Sequence, residues 1–224
     1  MPDEPVTGPE ATRQSLIESG LRLFGSKGFS ATSTREIAGE AKANVASIAY
    51  HFGSKDGLRK AIADTIAATM RGVIDGAFAE RFVLPEGDAP TRREAAKAAI
   101  ATVIDRMARF LLASPMGALF PRFILREMTE QSAAFDALYG GVFEPVHKKL
   151  CALFAEATGV EAESEETRLT VFALIGPLLY FRIGAPAVQR RMGWTGYGPA
   201  EARKISTTVS RLVAARLDQK DKTS

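Results

Sequence analysis

The chain has 224 residues, of which 46% are hydrophobic and 25% are charged, fractions that are ordinary for a globular protein with a substantial core. Its net charge of +3 is only mildly basic and does not by itself indicate nucleic-acid binding. A single cysteine, Cys151, excludes an intramolecular disulfide, and no stretch has the roughly 18 consecutive apolar residues of a membrane span.

Helical periodicity dominates the chain, whereas strand patterns are weak everywhere. The N-terminal segment MPDEPVTGPE is acidic and proline-rich, without the apolar run of a signal peptide, so we expect residues 1–10 to be a disordered tail of a cytoplasmic protein. The predicted helices cover residues 12–27, 33–41, 44–52, 54–79, 92–112, 122–129, 133–157, 165–185 and 199–217, with a loop at LPEGDAP (84–90). The sequence thus predicts an all-α fold.

Three of these helices have capping signals at their N-termini. Ser33 and Glu36 have the spacing of a capping box, Asn44 is a favourable N-cap for the third helix, and Ser54 is one for the fourth. The second and third helices are short and are separated by a turn of about three residues. This is the pattern of a helix-turn-helix, whose second helix lies in the major groove of DNA.

The residue types around this motif suit contact with DNA. Small residues at the start of the third helix would allow close approach to base edges, and side chains that can reach phosphates follow them. The small residues are Val45, Ala46 and Ser47, and the phosphate candidates are Tyr50, His51 and Lys55. Residues 22–60 also contain seven Lys and Arg against three acids, a local charge of +4. On charge alone a solvated surface would be the better explanation of these cations, and it is the fold that favours DNA.

Residues 12–60 resemble the DNA-binding domain of TetR-family transcriptional regulators. The matching segments are LFGSKGF, TREIA, YHF and SK, at 23–29, 34–38, 50–52 and 54–55, together with Ala41, Ile48 and Leu58. The resemblance implies a three-helix DNA-binding domain at 11–57, a larger helical domain for ligand binding and dimerisation at 58–218, and a tail at 219–224. It implies phosphate contacts by Thr34 and Lys55 and a base contact by Arg35. The full set of implied DNA-binding residues is Thr34, Arg35, Asn44, Val45, Ala46, Ser47, Tyr50, His51 and Lys55.

Two positions depart from the family pattern. Lys42 stands at the turn position that is usually glycine, where a left-handed backbone would cost about 1 kcal/mol. Ala49 stands where an aromatic residue is common. This variant, together with FILREM at 123–128, F-x-P-x-H at 143–147 and YFRIGAPAVQRRMGW at 180–194, resembles the CecR-like subgroup.

The C-terminal half predicts a homodimer. Residues 169–181 are apolar on every side of a helix, so the helix must be covered all round, and a second copy of the chain is the simplest cover. The last helix offers an apolar stripe for the same interface, and the resemblance implies the same arrangement. The predicted interface residues are Leu174, Leu178, Phe181, Val209 and Leu212.

A ligand pocket is also predicted in this half, with apolar walls and a few cations. The predicted lining consists of Met107, Arg122, Phe123, Arg126, Phe143, His147, Phe172 and Arg182. Arg122, Arg126 and Glu127 could instead form a buried ion pair, and this alternative stays open. If the arginines face the pocket, we expect an amphipathic, aromatic ligand rather than a sugar or a metal.

The sequence therefore predicts a regulator, specifically a homodimeric repressor that leaves a pseudo-palindromic operator in double-stranded DNA when a small molecule binds. The alternative is a DNA-binding dimer without an effector, whose C-terminal domain serves dimerisation or partner recruitment only. No catalytic constellation, nucleotide-binding loop or metal-ligand spacing stands out, so we expect no enzyme activity, no cofactor and no bound metal.

Overall fold

The computed structural model describes residues 8–79 and 88–219, and within these ranges it contains helices and connecting turns without a strand. The all-α prediction is confirmed. The helices are α1 (Pro9–Lys27), α2 (Thr34–Glu40), α3 (Ala46–Phe52), α4 (Lys55–Ala79), α5 (Ala89–Ala108), α6 (Pro115–Glu130), α7 (Ala133–Leu138), α8 (Glu144–Thr158), α9 (Glu165–Ile183), α10 (Ala185–Met192) and α11 (Pro199–Gln219). The predicted tails at 1–7 and 220–224, and residues 84–87 of the predicted loop, lie outside the described residues.

Several helix boundaries differ from the predicted ones, and they do so at proline and glycine residues that start or interrupt a helix. Pro115 begins α6 and Pro121 lies inside it, so this helix starts earlier than predicted. The predicted helix 133–157 is divided by a π-helical turn at Tyr139–Phe143, which contains two consecutive glycines. Gly184 ends α9, and α10, which the sequence patterns did not predict, starts directly after it with Pro186 in its first turn.

The chain forms two compact units. Unit I comprises residues 8–68 and 119–141, and unit II comprises the described residues of 69–118 and 142–219. These limits differ from the predicted domains because the first part of α4, most of α6 and all of α7 belong to unit I. In unit I, Gly20 of α1 lies so close to Leu58 and Ile62 of α4 that a Cβ atom there would stand 2.9 Å from Ile62.

Unit II has its core among α5, α8, α9 and α11. The buried apolar side chains of α5 pack with those of α8 and α11, and α9 adds Val171 and Leu178. Burial of this apolar surface is the main source of stability for such a unit.

Membrane-spanning helices and metal-binding clusters are both lacking in the part of the chain that the structure describes. Within the described ranges, no single helix is long and apolar enough to cross a membrane. Two pairs of consecutive helices reach the required length and composition when each pair is taken as one span, but both pairs are sharply bent. In the same ranges, no group of three or more His, Cys, Asp and Glu side chains is placed to hold a metal ion.

Candidate nucleic-acid interface

The turn between α2 and α3 is built by the backbone of residues 38–43. The N–H of Ala43 donates to the carbonyl of Ala38 at 2.9 Å, and the N–H of Lys42 donates to that of Gly39 at 3.2 Å, which is a Schellman motif. Lys42 has φ +52°, so the left-handed conformation expected at this position is confirmed. The non-glycine residue therefore carries backbone strain of about 1 kcal/mol in the turn that sets the angle between the two helices.

Helix α2 is fixed at its N-terminus and to α1. The predicted capping box is confirmed: Ser33 Oγ accepts from the N–H of Glu36 at 3.2 Å, and Glu36 Oε2 accepts from the N–H of Ser33 at 2.8 Å. Glu36 also accepts from Lys27 Nζ at 2.8 Å. The hydrogen bond from Lys27, followed by those from Ser33, lowers the pKa of Glu36 from 4.5 to about 2. Arg22 and Glu40 form a second pair between these helices at 2.6 Å.

Helix α3 has one fully buried side chain, and its other side chains are half-buried or exposed. Ile48 is buried, whereas Val45, Ala46 and Ala49 are exposed and Tyr50 is 80% exposed. Asn44 Oδ1 accepts from the N–H of Ala46 at 2.9 Å, as an N-cap side chain does, although the α-helix itself begins at Ala46.

The aromatic side chains at the end of α3 contact one another. The rings of Tyr50 and His51 meet edge to face with centroids 4.8 Å apart, and Phe52 lies 5.9 Å from His51. The guanidinium of Arg13 in α1 stands 5.7 Å from the ring of Phe52. Tyr50 thus contacts its neighbour His51 while most of its side chain faces solvent.

Lys55 stands at the start of α4 next to Ser54, which caps that helix by accepting from the N–H of Gly57 at 3.0 Å. The Nζ of Lys55 lies over the ring of Phe29, 4.1 Å from its centroid, and the guanidinium of Arg59 lies 4.3 Å from the same centroid. Two cations on one ring repel each other unless one of them is neutralised.

Arg59 is neutralised by acidic residues of α6. Its Nε donates to both carboxylate oxygens of Glu127 at 2.9 and 3.0 Å, and its terminal nitrogen contacts Glu130. Glu127 also accepts from Ser132, the N-cap of α7. In the sequence, Arg59 is one of the clustered cations and Phe29 lies in one of the segments that match the family pattern, but the sequence patterns assign a contact to neither. The spacing of Lys55 and Arg59 by four residues does indicate a shared helix face, whereas nothing local indicates Glu127.

Arg126 has a structural contact that corrects both sequence interpretations. It does not pair with Glu127, and its contacts lie within unit I: its side chain donates to the carbonyls of Gly25 and Ser26 at 3.0 and 2.8 Å. These carbonyls belong to the last turn of α1, where helical partners are missing and positive charge is favourable. Gly28, at φ +90°, leaves room for the guanidinium, because a Cβ atom there would stand 2.9 Å from it.

The remaining predicted pocket residues are divided between the units. Arg122 and Phe123 lie in unit I with Arg126, whereas the other five lie in unit II. The five are Met107, Phe143, His147, Phe172 and Arg182.

In unit II, Arg182 donates to the carbonyl of Ala118 at 3.0 Å. The ring of His147 stacks on Phe172 at 3.9 Å, and its Nε2 is 3.1 Å from the carbonyl of Arg168. Cys151 is 3.6 Å from His147 Nδ1, and burial raises the pKa of its thiol.

Unit II contains a small apolar cavity among α5, α8, α9 and α11. Its free volume is about 20 Å³, close to the size of one water molecule. Of the predicted pocket residues, Met107 is part of its wall. The lining side chains are Ile100, Val103, Ile104, Met107, Leu150, Phe154, Val171, Leu174, Ile175, Leu178 and Val213.

The predicted dimer residues fall into two groups. Leu178 and Val209 are 0% and 1% exposed within one protomer, so they are core residues, and their assignment to the interface is corrected. Leu174 and Phe181 are half-buried, and Leu212 is exposed. The outer face of α9 consists of other large residues, which are 48–62% exposed: Leu169, Phe172, Tyr180 and Ile183.

Comparisons with known proteins agree with this geometry. Residues 16–62 match the family described as bacterial regulatory proteins, tetR family, and residues 96–219 match the C-terminal domain of the HTH-type transcriptional dual regulator CecR. The chain is 36% identical over 210 residues to the HTH-type transcriptional dual regulator CecR of Shigella flexneri, covering 92% of this chain and 90% of that protein.

Two more distant proteins extend the likeness. An HTH-type transcriptional repressor of Mycobacterium tuberculosis is 24% identical over 189 residues, covering 77% of this chain and 92% of that protein. The fatty acid degradation regulator FadR of Bacillus halodurans, a solved structure, has a TM-score of 0.61 at 13% identity, covering 91% of this chain and 96% of that one, which is a likeness of fold.

Proposed function

The chain belongs to the TetR family of bacterial transcriptional regulators, with a C-terminal domain of the CecR type, and from this premise we propose that it is a homodimeric repressor released from its operator by a small molecule. It is a DNA-binding regulator and not an enzyme. We propose repression, rather than activation, because a dimer that covers an operator excludes other proteins from that DNA. We place the protein in the cytoplasm, where a bacterial operator is found.

The exposed surface of α3 is the observation that carries the DNA-binding proposal. A short helix whose one fully buried side chain is Ile48, with small residues outward at its start, can enter a major groove without steric conflict. We assign base contacts to Arg35 and to residues 44–47. Phosphate contacts are assigned to Thr34, Tyr50, His51 and Lys55.

A binding measurement with Tyr50→Phe tests this surface. The change removes only the hydroxyl of a side chain that is 80% exposed, so folding should be unaffected. We expect weaker binding to operator and to unrelated DNA by a similar factor, because a phosphate contact carries no sequence information. Equal DNA affinity of the variant and the wild type would show that the hydroxyl of Tyr50 does not contact DNA.

The homodimer is supported by the outer face of α9. Four large apolar side chains exposed along one helix, with Leu212 of α11 exposed as well, form more apolar surface than scattered single residues would. A second copy of the chain would cover them. A two-fold dimer in turn requires two symmetric half-sites in the operator.

The effector is proposed to be a small apolar molecule that enlarges the cavity of unit II. All eleven lining side chains are apolar, and the predicted cationic anchors Arg126 and Arg182 hold backbone carbonyls instead. This changes the expected ligand from amphipathic to apolar. The ligand releases DNA only if it favours a domain arrangement different from the one that binds the operator.

An apolar ligand screen against the protein–operator complex separates this proposal from the alternative without an effector. A ligand that occupies the cavity should lower operator affinity, and Val103→Phe, which fills it, should abolish that response while DNA binding is retained. Operator affinity that no cavity ligand changes would favour the alternative, in which unit II serves dimerisation or partner recruitment only.

A further inference from the structure

The exposed residues of α9 are arranged symmetrically about a glycine. The large side chains are Leu169 and Phe172 on one side of Gly176 and Tyr180 and Ile183 on the other. The spacings from Leu169 to Ile183 are three, four, four and three residues, and they are therefore the same in both chain directions. All five positions fall on one side of the helix, since three- and four-residue steps follow a helical face.

Gly176 has no function in the packing of one protomer. Apart from its own helix and chain neighbours, no described atom lies within 4 Å of the point where its Cβ would stand. A glycine inside a helix costs about 1 kcal/mol relative to alanine. A closely approaching second helix would account for it, because only glycine lets two helix backbones come together at that point.

The two ends of α9 carry opposite charge. The segment before and at its start contains Glu161, Glu163, Glu165 and Glu166, whereas α10, which leaves α9 at an angle of 76°, contains Arg190 and Arg191. No Asp or Glu occurs between Glu166 and Glu201.

None of the residues of α10 is buried in the protomer. Among the residues described, Arg190 and Arg191 form no ion pair, and neither do Glu163 and Glu165; Glu166 has a long contact of 3.9 Å with Arg216. The protomer thus leaves charges of both signs available at opposite ends of one apolar face.

We propose that α9 pairs antiparallel with α9 of a second copy about Gly176, so that the acidic segment of one protomer contacts the basic α10 of its partner. Leu169 then meets Ile183 of the second copy, and Phe172 meets Tyr180. The charge pairs occur twice because the interface is two-fold, and they select a second copy over a chain with like charges at these ends. The proposal rests on the homodimer of the proposed function.

Charge reversal provides the test. One variant carries Glu163→Lys and Glu165→Lys, and the other carries Arg190→Glu and Arg191→Glu. In the homodimer of either variant every pair that involves residues 163 and 165 with residues 190 and 191 is repulsive, whereas in a mixed dimer every such pair is attractive. We expect each variant alone to dimerise at least about tenfold more weakly than the wild type, and an equimolar mixture to form heterodimers almost exclusively by native mass spectrometry.

Gly176→Leu tests the symmetry axis separately. It should abolish the dimer in sedimentation while the helical circular dichroism is kept. The matched control is Gly72→Leu in α4, another helical glycine with open space at its Cβ position, which should leave the dimer intact.

The possible failures are distinguishable. A monomeric wild type refutes the homodimer of the proposed function. A dimeric wild type whose charge variants dimerise normally and mix statistically refutes the charge pairing alone. If the Gly176→Leu protein remains dimeric, the two-fold axis of the dimer does not pass by this glycine, and the proposed antiparallel register is wrong.

Discussion

Replacing Glu127 with leucine should destabilise the protein strongly, because it leaves the guanidinium of Arg59 without its principal partner. The two side chains are 11% and 2% exposed, and breaking a buried pair from one side costs about 3–5 kcal/mol. Glu130, whose side chain is 40% exposed, still contacts Arg59, so the lower end of about 3 kcal/mol is expected. For a chain of this length the melting temperature should fall by about 6–12 °C.

A double-mutant cycle, measured by urea unfolding, isolates the pair. Arg59→Met combined with Glu127→Leu replaces both charges by apolar groups and should recover most of the loss, since such replacements are often neutral. Glu130→Gln is the control, with an expected cost below about 1 kcal/mol because its carboxylate is exposed. A double variant as unstable as the sum of its singles, or a Glu127→Leu protein as stable as the wild type, would refute the role assigned to this pair.

Three further predictions concern unit I. Lys55→Ala should weaken binding to all DNA sequences about equally and lower the salt slope of binding by roughly one unit. The control Lys60→Ala, which removes a lysine paired with Asp64, should do neither. An unchanged salt slope for Lys55→Ala would argue against its phosphate contact. Lys42→Gly should raise unfolding stability by about 1 kcal/mol in chemical denaturation, and a destabilised variant would show that the φ of +52° is not strained. Because the pKa of Glu36 is lowered, the carboxylate contributes its full stabilisation above its ordinary pKa of 4.5 and loses it as the pH falls towards 2. The melting temperature of Glu36→Gln should therefore depend less on pH in that window than that of the wild type. The same pH dependence in both proteins would contradict the assignment.

The parts of the fold that follow from local patterns could be predicted from the sequence. The capping box at Ser33, the left-handed backbone at Lys42 and the cap at Ser54 each depend on residues within a few positions of one another. Such interactions act over one turn of a helix, so the residue types alone are sufficient to indicate them.

Long-range contacts could not be predicted in this way. Arg59 and Glu127 are 68 positions apart, and no pattern near Arg126 indicates that its guanidinium caps the end of α1. Helix α9 is apolar on every side, so its sequence could not tell that Leu178 faces the core of its own unit while Phe172 faces outward. Only the packing of neighbouring helices decides between these two faces.

The central claim is that a dimer of this chain binds a two-fold symmetric operator through α3. Its most direct test is to select the DNA that the purified protein retains from a random pool and then to footprint the protein on the selected sequence. The account predicts an inverted repeat whose half-site centres lie about one DNA turn apart or slightly more, protected symmetrically by one dimer. A strictly asymmetric footprint, or a pool without any enriched sequence, would contradict it.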